Sequence, residues 1–187
     1  MKTVKWIIII VAVLLGLFIA VTAFLPKDYH VERSVVISAP AVLVYSQVVD
    51  LEAWQAWNPW SEMDPEMTIE YGENTVGKGA WYAWTSNVAG NGRMTIIETS
   101  APNTVRYELV FQGYDELPSY SSMILEADDP LSPTRVTWTF EGDVGDQFFA
   151  RWMAVAMDKF VGESYQQGLK ALKKRCEGMA DKVPPAL

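Results

Sequence analysis

The chain has 187 residues, which is enough for one ordinary domain and a short additional segment. All 23 acidic residues and all but two of the 15 basic residues follow Leu25, so this part carries a net charge of about −10, which argues against nucleic acid as a partner. The chain has one cysteine, Cys176, which excludes an intrachain disulfide and a cysteine-based zinc site. Its one histidine, His30, lies too close to the N-terminal apolar run to form a serine–histidine–aspartate triad.

The first feature along the chain is an uncharged apolar run over residues 6–25, WIIIIVAVLLGLFIAVTAFL. Twenty apolar residues at a rise of 1.5 Å span the core of a bilayer, so the run predicts a transmembrane anchor, with residues 1–5 before it and a linker over 26–30. A cleaved signal peptide is the alternative, because Val21-Thr22-Ala23 has the small residues of a cleavage site. A buried core helix is disfavoured, because the run has no polar face.

Charges around this run predict the orientation of a single-pass membrane protein. Lys2 and Lys5 precede the run, and Lys27 and Arg33 follow it. The positive-inside rule weakly favours a cytoplasmic N-terminus, which places the domain in a periplasmic or extracellular space. The acidity of the domain disfavours flat docking on anionic lipid.

The next segment predicts one strand and two short helices. Residues 31–37 are apolar and β-branched, which is typical of a strand. Ser38 and Pro40 are typical of a helix start, and that helix continues to Val49. Asp50 begins a second short helix through Ala56, which ends before Pro59.

Six short strands are predicted between about residue 67 and residue 141. Turn residues separate them, and gaps this short require antiparallel neighbours. Apolar and polar residues alternate in 104–112 and 134–141, which indicates that the sheet has one buried face and one exposed face. The predicted strands are 67–71, 79–85, 92–99, 104–112, 119–127 and 134–141.

The last predicted element is a long amphipathic helix from Asp146 to about Gly178, followed by a flexible tail over 181–187. Only this helix is large enough to cover the one-sided sheet. The predicted fold is therefore α+β, with a strongly bent antiparallel sheet of about seven strands wrapped on a C-terminal helix. Such an arrangement leaves a space between the sheet and the helix.

This order of elements resembles the START-like, or SRPBCC, superfamily, and in particular the bacterial polyketide cyclase/dehydrase-like proteins. The residues that carry the resemblance are Val36-Ile37-Ser38-Ala39-Pro40, Val44-Tyr45, Asp50, Trp54, Trp57-Asn58-Pro59-Trp60, the stretch 77–84 and the stretch 134–138. The resemblance implies a helix-grip domain over residues 31–180 with a cavity, and it implies no particular substrate, because the superfamily contains both enzymes and binders.

Large apolar side chains on the inward faces are the candidate ligand-binding residues, because a cavity for a lipophilic molecule needs rigid apolar walls. Trp81 and Trp84 differ by three positions in a strand, so at most one of them faces inward. The predicted lining consists of Trp54, Trp57, Tyr107, Phe111, Met123, Trp138, Phe140, Met153, Met157 and Phe160.

No catalytic residue, metal site or cofactor is predicted. His30 lies five residues after the apolar run and is expected to be a solvated linker residue. We therefore expect a membrane-anchored protein that binds a hydrophobic small molecule or lipid. Two alternatives stay open: a polyketide cyclase-like enzyme that uses the hydroxyls of Tyr82, Tyr107 and Ser121, and a protein-interaction module with a closed cavity and a surface patch at Trp57–Trp60.

Overall fold

The computed structural model describes residues 2–113 and 117–182, and most of the predicted tail, 183–187, lies outside the described residues. Helix α1 comprises Lys2–Phe24. Among the described residues, one helix is long and apolar enough by length and composition to cross a membrane, over Thr3–Phe24. From Thr3 onward the side chains of α1 are exposed except for Thr22, which is fully buried, so this helix is not part of the core.

Seven antiparallel strands form one curved sheet, which confirms the predicted fold class. The order in the sheet is β1-β7-β6-β5-β4-β3-β2, so every neighbour except the β1–β7 pair is consecutive in the chain. The linker predicted over 26–30 is shorter than expected, because β1 begins at Asp28 and pairs with Asp143 at the end of β7. The strands are β1 (Asp28–Ile37), β2 (Thr68–Tyr71), β3 (Trp81–Ser86), β4 (Gly90–Ser100), β5 (Thr104–Phe111), β6 (Ser119–Glu126) and β7 (Thr134–Asp143).

Three short helices connect β1 to β2, and their bounds are α2 (Ala41–Val48), α3 (Leu51–Trp54) and α4 (Trp60–Met63). Asp50 begins the second short helix as expected, and its carboxylate caps α3 by accepting hydrogen bonds from the N–H groups of Glu52 and Ala53. The helix ends at Trp54, two residues before the predicted end at Ala56. The predicted cap at Ser38 is wrong: α2 begins after Pro40 without a side-chain cap. The Ser38 N–H instead donates to the Glu177 carboxylate at 2.8 Å, which holds this loop on the last turn of the long helix.

The long helix α5 comprises Ala150–Ala180 and packs on the concave face of the sheet. It begins four residues later than predicted, because Asp146 forms an ion pair with Lys27 and Gly145 has a positive φ of 66°. The buried side chains of α5 are confined to one stripe that contains Ala154, Tyr165, Leu169, Leu172 and Cys176. This stripe closes the hydrophobic core against the inward residues of the sheet.

Charged side chains from the domain contact the outer edge of β1. Arg33 donates to the Glu32 carbonyl at 2.7 Å and to the Asp158 carboxylate of α5 at 2.9 Å. Lys173 of α5 donates to the Val36 carbonyl at 2.6 Å. The long helix is thereby joined to the edge strand by polar contacts as well as by the core.

The end of α1 also contacts the beginning of α5. The Arg151 guanidinium donates to the Ala23 carbonyl at 2.7 Å and to the Leu25 carbonyl at 3.3 Å. The Trp152 indole N–H donates to the Thr22 hydroxyl at 2.9 Å. Because the last carbonyls of a helix have no partner within the helix, these bonds satisfy the end of α1 and join it to the domain.

Candidate functional site

A cavity of about 480 Å³ lies between the sheet and α5. This volume is within the range of small-molecule binding pockets. The walls are mainly apolar and aromatic, and they come from β1, β3–β7, α3, α4 and the first half of α5. The cavity reaches the end of the sheet where β1 begins and β7 ends, and Met153, which lines it there, is 44% exposed.

Six of the ten predicted lining residues border this cavity, namely Trp54, Phe111, Trp138, Phe140, Met153 and Met157. Trp54, Trp138 and Phe140 are buried, whereas Phe111 is half-buried toward the end of β5. Whether any of them contacts a ligand stays a prediction.

Trp57, Tyr107 and Met123 are buried beside the cavity instead of lining it. The Trp57 indole N–H donates to the Gln47 carbonyl at 3.1 Å, and the Tyr107 hydroxyl donates to the Val48 carbonyl at 2.6 Å. Both carbonyls belong to the last turn of α2. These two side chains therefore fix α2 on the sheet and support the cavity wall from behind.

The expectation that Phe160 faces the cavity is wrong, because this side chain is 71% exposed. Successive residues in a helix are rotated by about 100° about the helix axis. Phe160 therefore points more than about 100° away from Tyr165 and Leu172 in the buried stripe of α5. The first half of α5 has apolar residues on two faces, and the spacing alone does not distinguish the covered face from the exposed one.

Several lining residues are absent from the predicted set. Trp84 lines the cavity, while Trp81 lies on the other face beneath the Arg93 guanidinium at 4.0 Å, as the alternation of a strand requires. Leu109 shares the inward face of β5 with Phe111, so alternation also indicated it. The other missed lining residues include Tyr29, Trp60, Tyr82, Met94, Val161 and Tyr165, whose positions depend on tertiary packing.

The centre of the wall is a stack of Trp138 on Tyr165, with ring centroids 3.7 Å apart and planes 14° from parallel. The Ser121 hydroxyl accepts from the Trp138 indole N–H at 2.9 Å and donates to the Thr139 carbonyl at 2.8 Å. Because its one proton is used, Ser121 accepts from the Tyr165 hydroxyl at 3.1 Å. This network fixes both rings and joins α5 to β6 and β7.

Trp60 of α4 completes this aromatic wall from the other side. Its ring meets Trp138 edge to face at 5.9 Å and Tyr165 edge to face at 6.1 Å. Trp60 is half-buried in these contacts, so it does not form the exposed patch that the interaction-module alternative required.

The titratable groups in the wall favour neutral forms. Burial raises the pKa of Tyr82 and of Tyr165 far above the ordinary value. Burial also raises the pKa of Tyr29, although the hydrogen bond with the Ser119 hydroxyl opposes the increase. Among the described lining residues the one carboxylate is Asp143, at the end of β7 where the cavity reaches the surface.

The described residues contain no cluster of three or more His, Cys, Asp or Glu side chains that could hold a metal ion. His30 lies in β1, with Nε2 3.6 Å from the Glu32 carboxylate and Nδ1 3.9 Å from that of Glu141. Its side chain is half exposed and lies outside the cavity wall.

Solved structures of low sequence identity share this fold. A protein from Thermobifida fusca is 20% identical, with a TM-score of 0.61, over 80% of this chain and 94% of that one. A hypothetical protein from Helicobacter pylori is 14% identical, with a TM-score of 0.60, over 80% and 89%. Norcoclaurine synthase from Thalictrum flavum, in complex with dopamine and hydroxybenzaldehyde, is 11% identical, with a TM-score of 0.57, over 79% and 86%.

No curated protein matches the chain in sequence. A family model described as "Polyketide cyclase / dehydrase and lipid transport" matches residues 28–177, which comprise the whole sheet and nearly all of α5. This match agrees with the helix-grip architecture and with the apolar cavity. The chain therefore belongs to the polyketide cyclase/dehydrase and lipid transport family.

Proposed function

We propose that the protein binds an uncharged lipophilic molecule in the cavity between the sheet and α5, at a membrane to which α1 attaches it. The observation that carries this proposal is an apolar cavity of about 480 Å³. Its described lining offers hydroxyl and amide groups, and its one charged side chain, Asp143, lies where the cavity reaches the surface. A charged ligand group buried there would lose its hydration without gaining an ionic partner. An apolar body with a hydroxyl or carbonyl group suits such a wall best.

Binding is better supported than catalysis. A cyclase-type reaction needs a group that moves a proton near neutral pH. The raised pKa values of Tyr82 and Tyr165 keep both phenols protonated under those conditions. The other two hydroxyls of the cyclase alternative already donate hydrogen bonds within the protein, that of Tyr107 to the Val48 carbonyl and that of Ser121 to the Thr139 carbonyl. The interaction-module alternative requires that side chains fill the space between sheet and helix, whereas this space is a cavity of about 480 Å³.

Attachment to a membrane is supported by α1. Its apolar span covers Thr3–Phe24, and nearly all of its surface is exposed. Lys2 and Lys5 precede most of this span, so the positive-inside rule puts the N-terminus in the cytoplasm and the domain on the other side. A reporter that is active only outside the cytoplasm, fused after Leu187, is expected to be active, and activity of a cytoplasmic reporter at the same position would reverse the orientation.

Photo-crosslinking in the host membrane tests the binding proposal with the full chain. A benzophenone amino acid at Phe111 lies in the cavity wall, and the same amino acid at Ile124 lies on the exposed face of β6. We expect mass spectrometry of the Phe111 variant to show a discrete lipophilic adduct that the Ile124 variant lacks. Identical adducts at both positions, or none at Phe111, would overturn the proposal.

A further inference from the structure

The N-cap residue of α5, Phe149, and the first half of the helix carry a second apolar stripe that the core does not cover. It consists of Phe149, Trp152, Met153, Ala156 and Phe160, at the spacing i, i+3, i+4, i+7 and i+11 of one helix face. Phe149 is 72% exposed, and Trp152, Met153 and Phe160 are exposed as well. We call these five residues the α5 rim. One turn further along, the same face becomes polar at Glu163, Ser164 and Gln167.

The N-terminal part of the α5 rim, Phe149 and Trp152, contacts the apolar part of α1. The Phe18 ring stacks on Trp152 with centroids 5.6 Å apart and planes 1° from parallel, and it also contacts Phe149 at 6.4 Å. Phe18 lies six residues before Phe24, which is about 9 Å inside the end of the span at 1.5 Å per residue. A membrane that accommodates α1 therefore reaches the level of Phe149 and Trp152.

Most charges near the α5 rim are paired within the protein. Between Phe149 and Phe160 the charged residues are Arg151, Asp158 and Lys159. Arg151 donates to carbonyls at the end of α1, and Asp158 pairs with the Arg33 guanidinium at 2.9 Å. Trp152 presents an apolar ring with a polar N–H bonded to Thr22, which is the pattern of tryptophans at membrane interfaces. Apolar burial of the exposed rim side chains would therefore be the main contribution to insertion.

The rim adjoins the cavity. Met153 belongs to the rim and also lines the cavity, and Val144 and Leu117 line the same end. This is the end of the sheet where β1 begins, at Asp28, four residues after α1 ends at Phe24.

We propose that the α5 rim embeds in the lipid leaflet beside the end of α1, so that the mouth of the cavity opens onto the membrane surface. The ligand then passes between leaflet and cavity at Met153 without crossing bulk water. This inference rests on the proposed function in taking α1 as a membrane helix. Phe149 and Trp152 lie deepest, and Phe160, about 16 Å further along the helix from Phe149, lies nearest to water.

Nitroxide labels on the full chain in phosphatidylcholine vesicles measure these depths. Single cysteines replace Phe149, Phe160, Gln167 or Leu14, and native Cys176 stays unlabelled because it is fully buried. Leu14 reports on the span itself, and Gln167 is the matched control on the same face of α5. We expect the ratio of collisions with oxygen to collisions with a water-soluble nickel chelate to be at least about fivefold higher for F149C than for Q167C, because hydrated solutes are excluded from the apolar layer.

The outcomes separate the two proposals. A label at Phe149 as accessible to the nickel chelate as the label at Gln167, with Leu14 in lipid, would overturn rim insertion and leave the anchor intact. Water access at Leu14 would overturn the membrane part of the proposed function and the inference with it. A label at Phe149 shielded from both reagents would show that protein, such as a second copy of the chain, covers the rim, which also overturns insertion into lipid.

Discussion

Gly168 allows a direct test of how closely α5 packs on the cavity wall. A Cβ at this position would lie 2.8 Å from Cζ3 of Trp138 and 3.1 Å from Cδ of Pro59. Replacing glycine by alanine inside a helix ordinarily stabilises it by about 0.5–1 kcal/mol. Here the added methyl group must displace the indole that stacks on Tyr165, and overpacking of this kind costs about 1–3 kcal/mol. We expect Gly168→Ala to lower the free energy of unfolding by about 1 kcal/mol.

Gly178 in the same helix provides the matched control, because an added Cβ there meets no atom within 4 Å. Gly178→Ala is expected to stabilise the protein by up to about 0.5–1 kcal/mol. The two variants should then differ by about 2 kcal/mol, which corresponds to about 4–8 °C in Tm for a chain of this size. Thermal unfolding of the full chain in detergent micelles, followed by tryptophan fluorescence, measures this difference. A Tm of Gly168→Ala equal to or above that of Gly178→Ala would refute the close packing of α5 on Trp138.

Three further predictions concern the wall and the loops that support it. Ser121→Ala removes the hydroxyl that three buried groups share, so it should reduce the free energy of unfolding by about 2–3 kcal/mol in denaturant titrations, whereas Ser122→Ala on the other face should change little. Leu109→Trp fills the cavity and should reduce adduct formation in the crosslinking assay at least about tenfold, equivalent to 1.4 kcal/mol, while Tm stays near the wild-type value. The Ser86 hydroxyl and backbone N–H groups lower the pKa of the Asp64 carboxyl, so its ionised form stabilises the fold above about pH 4 and this contribution is lost as the pH falls through the lowered pKa. Asp64→Asn should therefore unfold at a lower temperature than wild type at pH 6, with a smaller change in Tm between pH 6 and pH 3.

The sheet could be predicted from the sequence because local patterns determine it. Alternating apolar residues in β5 and β7, with turn residues between the strands, identify one-sided antiparallel strands. The cap at Asp50 is equally local, since a carboxylate two and three residues before free N–H groups needs no distant partner. Ser38 failed as a predicted cap because α2 begins two residues later than the cap required, after Pro40, and the Ser38 N–H binds the distant Glu177 carboxylate.

The cavity wall could be predicted only in part, because inward orientation does not distinguish lining from support. Tyr107 and Phe111 share one face of β5, yet Tyr107 ends under α2 and Phe111 borders the cavity. Tyr165 lines the cavity because Trp138 and Ser121 hold it there, and no local pattern records such a contact. Phe160 was misplaced since α5 has two apolar faces, one for the core and one exposed.

The polar contacts along β1 bear on self-association. An edge strand with free carbonyl and N–H groups is a template on which another chain can add a strand. At this edge the Glu32 and Val36 carbonyls are already occupied by Arg33 and Lys173, whose charges also oppose the burial of a second strand beside them. The opposite edge, β2, is only four residues long. Both edges of the sheet are therefore poor templates for a strand from another chain, which disfavours continuous intermolecular sheets.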